Sequence, residues 1–141
     1  PRNRRIQTPT TPPIMKSQLK QEVAALRRQE KGMPEEDYQR ETEEIAGHMS
    51  QTWERIISQF IAEPLVDFMS LEVRVGKLRI VGRVTEEDVK NYDDSYSRIS
   101  GWASRHDPHP ALNYSPPTVE ELNREIEVIA DWLKRVKKYQ R

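Results

Sequence analysis

Proline positions divide this chain into segments more sharply than any other feature of its sequence. Proline lacks a backbone N–H and its ring clashes with the preceding helical turn, so a regular helix seldom runs through one. The ten prolines lie at positions 1, 9, 12, 13, 34, 64, 108, 110, 116 and 117. Four long proline-free windows remain, and we expect each regular element to lie inside one of them.

The first two windows are predicted to be helical. From about residue 14 to 31, apolar residues recur at helical spacing: Met15, Leu19, Val23 and Leu26. Gly32 and Pro34 follow, and this pair ends helices because glycine tolerates the left-handed conformation and proline cannot extend the ladder. A second helix is predicted over 35–62, where acidic residues precede one apolar stripe: Ile45, Met49, Trp53, Ile56 and Phe60.

The segment from residue 65 to 82 allows two interpretations. Residues 71–75 alternate between apolar and charged side chains as in a strand, and Gly76-Lys77 has the composition of a two-residue turn. This pattern predicts a short β-hairpin over 71–80. A two-stranded ribbon is only marginally stable alone, so it would lie on the helices or pair with another chain. A further helical turn is the alternative.

Two more helices are predicted, near 86–105 and 118–139. Thr85 stands before three acidic residues in the pattern of an N-cap, and Thr118 and Glu121 have the spacing of a capping box. One face of the earlier helix is apolar: Val89, Tyr92, Tyr96, Ile99 and Ala103. The last helix has the three-four spacing of a coiled-coil seam: Val119, Leu122, Ile126, Ile129, Leu133 and Val136.

These segments predict a mainly α protein, a small bundle of about four helices over residues 14–141. Hydrophobic residues make up only 35% of the chain, against about 45 to 50% in globular domains, so a single large dry core is not expected. Residues 1–13 form a basic arm rich in Pro and Thr, with Ile6 as its one large apolar residue. Such a segment buries too little surface to offset its backbone entropy, which predicts an extended arm.

Composition excludes several classes of protein. The chain has no cysteine, which rules out disulfides, thiolate zinc sites, cysteine-ligated iron–sulfur clusters and cysteine nucleophiles. No apolar run approaches the roughly 18 residues of a membrane helix, and none follows a basic start as in a signal peptide. We therefore expect no membrane association, and an intracellular reducing compartment or a virion as the location.

A formal net charge of zero conceals three differently charged segments. Residues 1–31 hold eight basic and two acidic side chains, residues 32–131 hold 10 and 21, and the last ten residues hold five basic and no acidic ones. Such asymmetry indicates contact with charged partners. In the arm, Arg2, Arg4 and Arg5 are predicted to anchor on an acidic protein surface or on nucleic acid, with an inert tether as the alternative.

The last helix offers two further sets of candidate contacts. Its seam is either the core side of a bundle helix or a binding surface for a neighbouring chain, in which Trp132 would be a hot spot beside Leu122, Ile126, Ile129 and Leu133. Its basic end either complements the helix dipole or contacts phosphates through Lys134, Arg135, Lys137, Lys138 and Arg141.

No pattern in the sequence indicates catalysis or a cofactor. His106, Asp107 and His109 have metal-ligand side chains, but zinc needs three or four ligands of fixed geometry and His48 is the one other histidine. We therefore expect no metal site there and a structural role for His48. The acidic residues that begin the second helix belong to a polar face, without the apolar pocket that separates the pKa values of catalytic carboxylates.

The sequence thus favours a non-enzymatic structural or adaptor subunit of a larger assembly, for example a virion or another multi-subunit particle. It is expected to form a homo- or hetero-oligomer and to bind protein neighbours through its arm and last helix. The alternative is a sequence-nonspecific nucleic-acid-binding protein that uses its basic termini.

Overall fold

A computed structural model describes residues 16–67, 72–73, 75–103 and 115–140. Its helices are α1 Lys16–Gln29, α2 Glu35–Ile57, α3 Glu63–Leu65, α4 Leu78–Arg83, α5 Glu86–Ala103 and α6 Val119–Tyr139. Two strands of two residues each, β1 Val66–Asp67 and β2 Glu72–Val73, pair antiparallel. The mainly α class is confirmed, with α1, α2, α5 and α6 at the predicted places. No helix in the described ranges is long and apolar enough to cross a membrane.

The four long helices form a bundle in which neighbours run in opposite directions. Lys16 at the start of α1 pairs with Glu127, whereas Arg27 near its end pairs with the earlier residue Glu120, so α1 and α6 are antiparallel. The ion pairs that join α5 to α6 show the same reversal. Because α2 packs against both α1 and α5, the helices form a ring in the order α1, α2, α5, α6.

Apolar stripes from all four long helices meet in one core. Trp53 on α2 is fully buried at its centre, with ring centroids 5.1 Å from Tyr92 and 5.3 Å from Trp132 in edge-to-face geometry. Such aromatic pairs add to the burial energy of the rings. The remaining core is aliphatic apart from Met49: Leu19, Val23, Leu26, Ile45, Ala46, Met49, Ile56, Ile99, Val119, Leu122, Ile126, Ile129 and Val136.

Both predicted helix starts are confirmed. The Thr118 hydroxyl accepts from the Glu121 N–H at 3.0 Å, and the Glu121 carboxylate accepts from the Thr118 N–H at 2.9 Å, which is a complete capping box. Thr85 and Asp88 make the same reciprocal pair before α5, at 3.0 and 3.1 Å. These bonds satisfy amide groups that have no partner within the helix.

The end of α2 is shaped by Pro64. From Ser58 to Ala62 the chain is π-helical, and the Glu63 N–H donates to the Ser58 carbonyl five residues back. Proline has no N–H to donate to the carbonyl four residues earlier, which belongs to Phe60. The Gln140 side-chain amide, just beyond α6, donates to that carbonyl at 2.9 Å. The Phe60 carbonyl, which lacks a helical donor, thus connects the end of α2 to the end of α6.

Of the two interpretations of residues 71–80, the structure shows the further helical turn and not the hairpin. Residues Val75–Lys77 form a 3₁₀ turn and α4 follows directly, so Gly76-Lys77 is not a hairpin turn and residues 78–80 are not a strand. The observed ladder lies earlier, with Val66 opposite Val73. In a strand Leu78 and Ile80 would share a face, whereas in α4 Ile80 is buried and Leu78 is exposed, because helical side chains two apart point in different directions.

Candidate interaction surface

The seam of α6 lies inside this chain's own core. Leu122, Ile126, Ile129 and Trp132 are buried, and Leu133 packs at the edge of the same cluster. Of the two alternatives for the seam, the structure shows the core side of a bundle helix, so Leu122, Ile126, Ile129 and Trp132 are not accessible to a partner in the folded bundle. The reason is that α1, α2 and α5 all pack against α6 and cover its apolar stripe. A three-four spacing does not distinguish a partner chain from the chain's own helices.

Several predicted contacts lie outside the described residues. These are Arg2, Arg4 and Arg5 of the arm and Arg141 at the end of the chain. The loop with His106, Asp107 and His109 lies outside them as well. The division into arm and helical domain and the absence of a metal site in that loop therefore stay predictions.

The basic end of α6 divides into one bound side chain and three exposed ones. The Arg135 Nε donates to a carboxylate oxygen of Asp88 at 3.0 Å and so joins α6 to α5. Lys134, Lys137 and Lys138 are exposed, and no ion pair links them to the described residues. Three of the predicted cations thus remain accessible to a partner.

Asp88 joins the start of α5 to the end of α6. It is only 3% exposed, and its carboxylate accepts from the Tyr139 hydroxyl at 2.6 Å, the Thr85 N–H and Arg135, while its backbone carbonyl accepts from the Trp132 indole at 2.8 Å. Burial alone would raise the pKa of this carboxyl, but the hydrogen bonds from Tyr139, Thr85 and Arg135 outweigh it and hold the pKa below its ordinary value. The same bond to Asp88 raises the pKa of the Tyr139 phenol.

A second buried polar network crosses the middle of the bundle. The Trp53 indole donates to the Ser95 hydroxyl at 3.0 Å, and Ser95 donates to Glu125 at 2.7 Å. Arg98 then donates to both oxygens of the Glu125 carboxylate, at 2.7 and 3.2 Å. The network joins α2, α5 and α6, and the bidentate pair satisfies a carboxylate that is 3% exposed.

The buried polar groups bond one another across helix contacts. Asp88 and Glu125 are the buried carboxylates of the described residues, and each bonds side chains of this chain. His48 has its Nδ1 2.8 Å from the Glu22 carboxylate, which joins α1 to α2 and is consistent with a structural role. In the described ranges, no three His, Cys, Asp or Glu side chains are grouped to hold a metal ion.

One end of the bundle exposes apolar side chains beside basic ones. Leu78 and Val81 on α4 are 48% and 41% exposed, and Val89 in the first turns of α5 is 50% exposed. Leu78 and Val81 are three residues apart and so lie on one face of α4. The Arg83 guanidinium donates to the Tyr139 carbonyl at 2.8 Å, which brings α4 to the basic end of α6. We call Leu78, Val81 and Val89 the apolar patch.

Sequence reasoning missed this patch for two reasons. The hairpin interpretation placed Leu78 on a strand, and helical spacing placed Val89 on the core face of α5. In the structure Asp88 is buried instead, because its capping and ion-pair contacts turn the first turn of α5 so that Val89 faces outward. The i, i+3 spacing of Leu78 and Val81 was the available signal. Comparisons with protein-family models, curated proteins and solved structures find no match for this chain.

Proposed function

We propose that this protein is a non-enzymatic structural or adaptor subunit of a larger assembly and that it binds a neighbouring protein chain through the apolar patch. The observation that carries the proposal is the exposure of Leu78, Val81 and Val89 at one end of the bundle. Scattered apolar side chains are common on protein surfaces, but an apolar group rimmed by charged residues is typical of interaction sites. The proposed contact thus moves from the buried seam of α6 to α4 and the start of α5.

The apolar patch is too small to hold a partner by itself, so charged residues near it have to contribute to binding. Full burial of a Val or Leu side chain contributes about 1.5 to 3 kcal/mol, so three half-exposed side chains offer roughly 3 kcal/mol. That is less than the approximately 4 kcal/mol of a millimolar complex, before any entropic cost of association. Lys77, Arg79 and the lysines of α6 lie at the same end as the patch. They favour a partner with an acidic surface.

The positions of the buried carboxylates support a non-enzymatic role. A general acid or base must come within hydrogen-bond distance of its substrate. Asp88 and Glu125 are each 3% exposed and accept hydrogen bonds from neighbouring helices. Their contacts account for their burial without a substrate.

Acidic substitutions in the patch test the proposal. The triple variant Leu78→Glu, Val81→Glu and Val89→Glu should lose its neighbour, because each change places a charge where an apolar contact is expected. Complexes isolated from the source cells through a tag would be weighed by native mass spectrometry. We expect the wild type to carry a stoichiometric partner and the triple variant to retain at least about tenfold less.

A matched control adds the same charge elsewhere on the surface. Gln21, Gln51 and Ser97 are exposed on α1, α2 and α5, so replacing all three with Glu should leave the partner bound. The proposal fails if the wild type is recovered as a monomer, or if the patch variant and the control retain the partner equally.

Nucleic-acid binding is the second candidate function, and the exposure of Lys134, Lys137 and Lys138 favours it. Binding to an oligonucleotide would then weaken log-linearly with salt, because each neutralised phosphate releases counterions. Changing the three lysines to Gln should reduce the slope by roughly 2 to 3, measured by fluorescence anisotropy. The absence of binding at low salt would exclude this function.

A further inference from the structure

Charge is distributed unequally between the two ends of the bundle. Gln140 contacts Phe60 at one end, where α2 and α6 finish, and Tyr38 contacts the Pro117 carbonyl at the other, where both begin. Residues 56–67, 75–90 and 131–140 belong to the first end and hold eight basic and six acidic side chains. Residues 27–44, 98–103 and 115–124 belong to the second and hold six basic and nine acidic ones. We call them the basic end and the acidic end.

Exposed charges at both ends lack partners within the described part of the chain. At the basic end the cations among them are Lys134, Lys137 and Lys138, which lie together in the last turns of α6, and the acidic ones are Glu86, Glu87 and Asp131. At the acidic end the carboxylates among them are Glu35, Glu36, Glu41 and Glu44 in the first turns of α2, whereas the nearby Asp37 is paired with Arg40. The cations are Arg28, Lys31 and Arg124. Because α2 and α6 begin at the same end, the two sets are separated along the bundle by roughly 15 to 35 Å. One bundle therefore cannot neutralise its own ends.

We propose that the basic end of one copy docks onto the acidic end of a second copy. This inference rests on the proposed function and identifies the neighbouring chain as this chain itself. Net charges of +2 and −3 follow from the counts at the two ends, so the two surfaces have opposite signs and complement each other. The apolar patch lies at the basic end, where docking would cover it.

The proposed contact has a definite symmetry. Two different surfaces meet, so the interface is heterologous and leaves one basic and one acidic end free on every dimer. Copies therefore add head to tail into open chains, or into rings where the rotation closes. Because exposed charges carry the recognition, association should be weak and should decrease as salt screens them.

Charge reversal at each end tests the docking directly. One variant carries Lys134→Glu, Lys137→Glu and Lys138→Glu, and the other carries Glu36→Lys, Glu41→Lys and Glu44→Lys. Sedimentation velocity of the full chain would be measured from 10 to 500 µM, at low and high salt. We expect the wild type to associate at low salt, each variant alone to associate at least about tenfold more weakly, and an equimolar mixture of both to associate again.

The mixture separates complementary docking from damage to the fold, since unfolded variants would not recover. A variant with Gln51→Glu and Ser97→Glu, which changes exposed sites between the ends, should associate as the wild type does. A wild type that stays monomeric at 500 µM and low salt overturns the proposal, and so does association that neither reversal weakens. If that monomer binds an oligonucleotide, the three lysines of α6 contact phosphates and not a second copy. In that case, native mass spectrometry of the wild type and of the apolar-patch variant would still show whether a different protein binds the patch.

Discussion

Replacing Trp53 with alanine is expected to lower the free energy of unfolding of this protein by about 3 to 5 kcal/mol. The side chain is fully buried and contacts the rings of Tyr92 and Trp132, so alanine leaves a cavity at the centre of the bundle. It also removes the indole that donates to Ser95. Urea unfolding followed by far-ultraviolet circular dichroism would measure the change.

Trp53→Phe separates the loss of volume from the loss of the hydrogen bond. Phenylalanine keeps an aromatic ring in the core but cannot donate to Ser95, whose hydroxyl still donates to Glu125. We expect a loss of about 1 to 2 kcal/mol for this variant. Losses below about 1 kcal/mol for both substitutions would contradict the central position of Trp53.

Asp88→Ala is expected to lower the free energy of unfolding by about 3 kcal/mol. The substitution removes the acceptor for Tyr139, for Arg135 and for the Thr85 amide at once. It therefore destabilises both the start of α5 and its attachment to α6. Urea unfolding provides the measurement, with Asp93→Ala as the control because Asp93 is exposed on the same helix. The control should change the free energy by less than about 0.5 kcal/mol, and equal losses would refute the role of Asp88.

The pH dependence of stability provides an independent check on Asp88. Its folded-state pKa is lowered, so the stability it contributes is fully present above the unfolded-state pKa of about 3.9 and is lost as pH falls through the folded-state pKa. The wild type should therefore lose more stability than Asp88→Asn between about pH 5 and pH 3. Glu120, Glu127 and Asp94, whose pKa values are also lowered, contribute equally to both proteins and cancel. Identical pH profiles would mean that the ionised Asp88 contributes nothing.

The sequence predicted helices well where local and tertiary preferences agree. Thr118 and Glu121 form the predicted capping box because a cap needs only residues within one helical turn. The stripe through Trp53 is buried because its period matches the helix. The segment over 71–80 stayed open between a hairpin and a helical turn because its alternation is too short to distinguish a strand from α4.

The candidate surface depended on information that periodicity does not contain. Spacing places Val89 on the apolar face of α5. In the structure, however, the polar contacts of Asp88 bury Asp88 and leave Val89 exposed. The residues that hold Asp88 lie 47 and 51 positions later in the chain. No local pattern could identify these partners before α6 was known to pack against α5.

By itself, the sequence determined where the four long helices lie, which stripe of each is apolar, and how charge divides along the chain. These properties follow from proline, capping residues and spacing within a few turns. Only the tertiary structure decided what covers each stripe. It placed the α6 seam inside the bundle, exposed Leu78 and Val81, and set the exposed lysines of α6 and the exposed glutamates of α2 toward opposite ends. The physical reason is that burial depends on packing between residues distant in the chain, whereas helix formation depends mainly on neighbours.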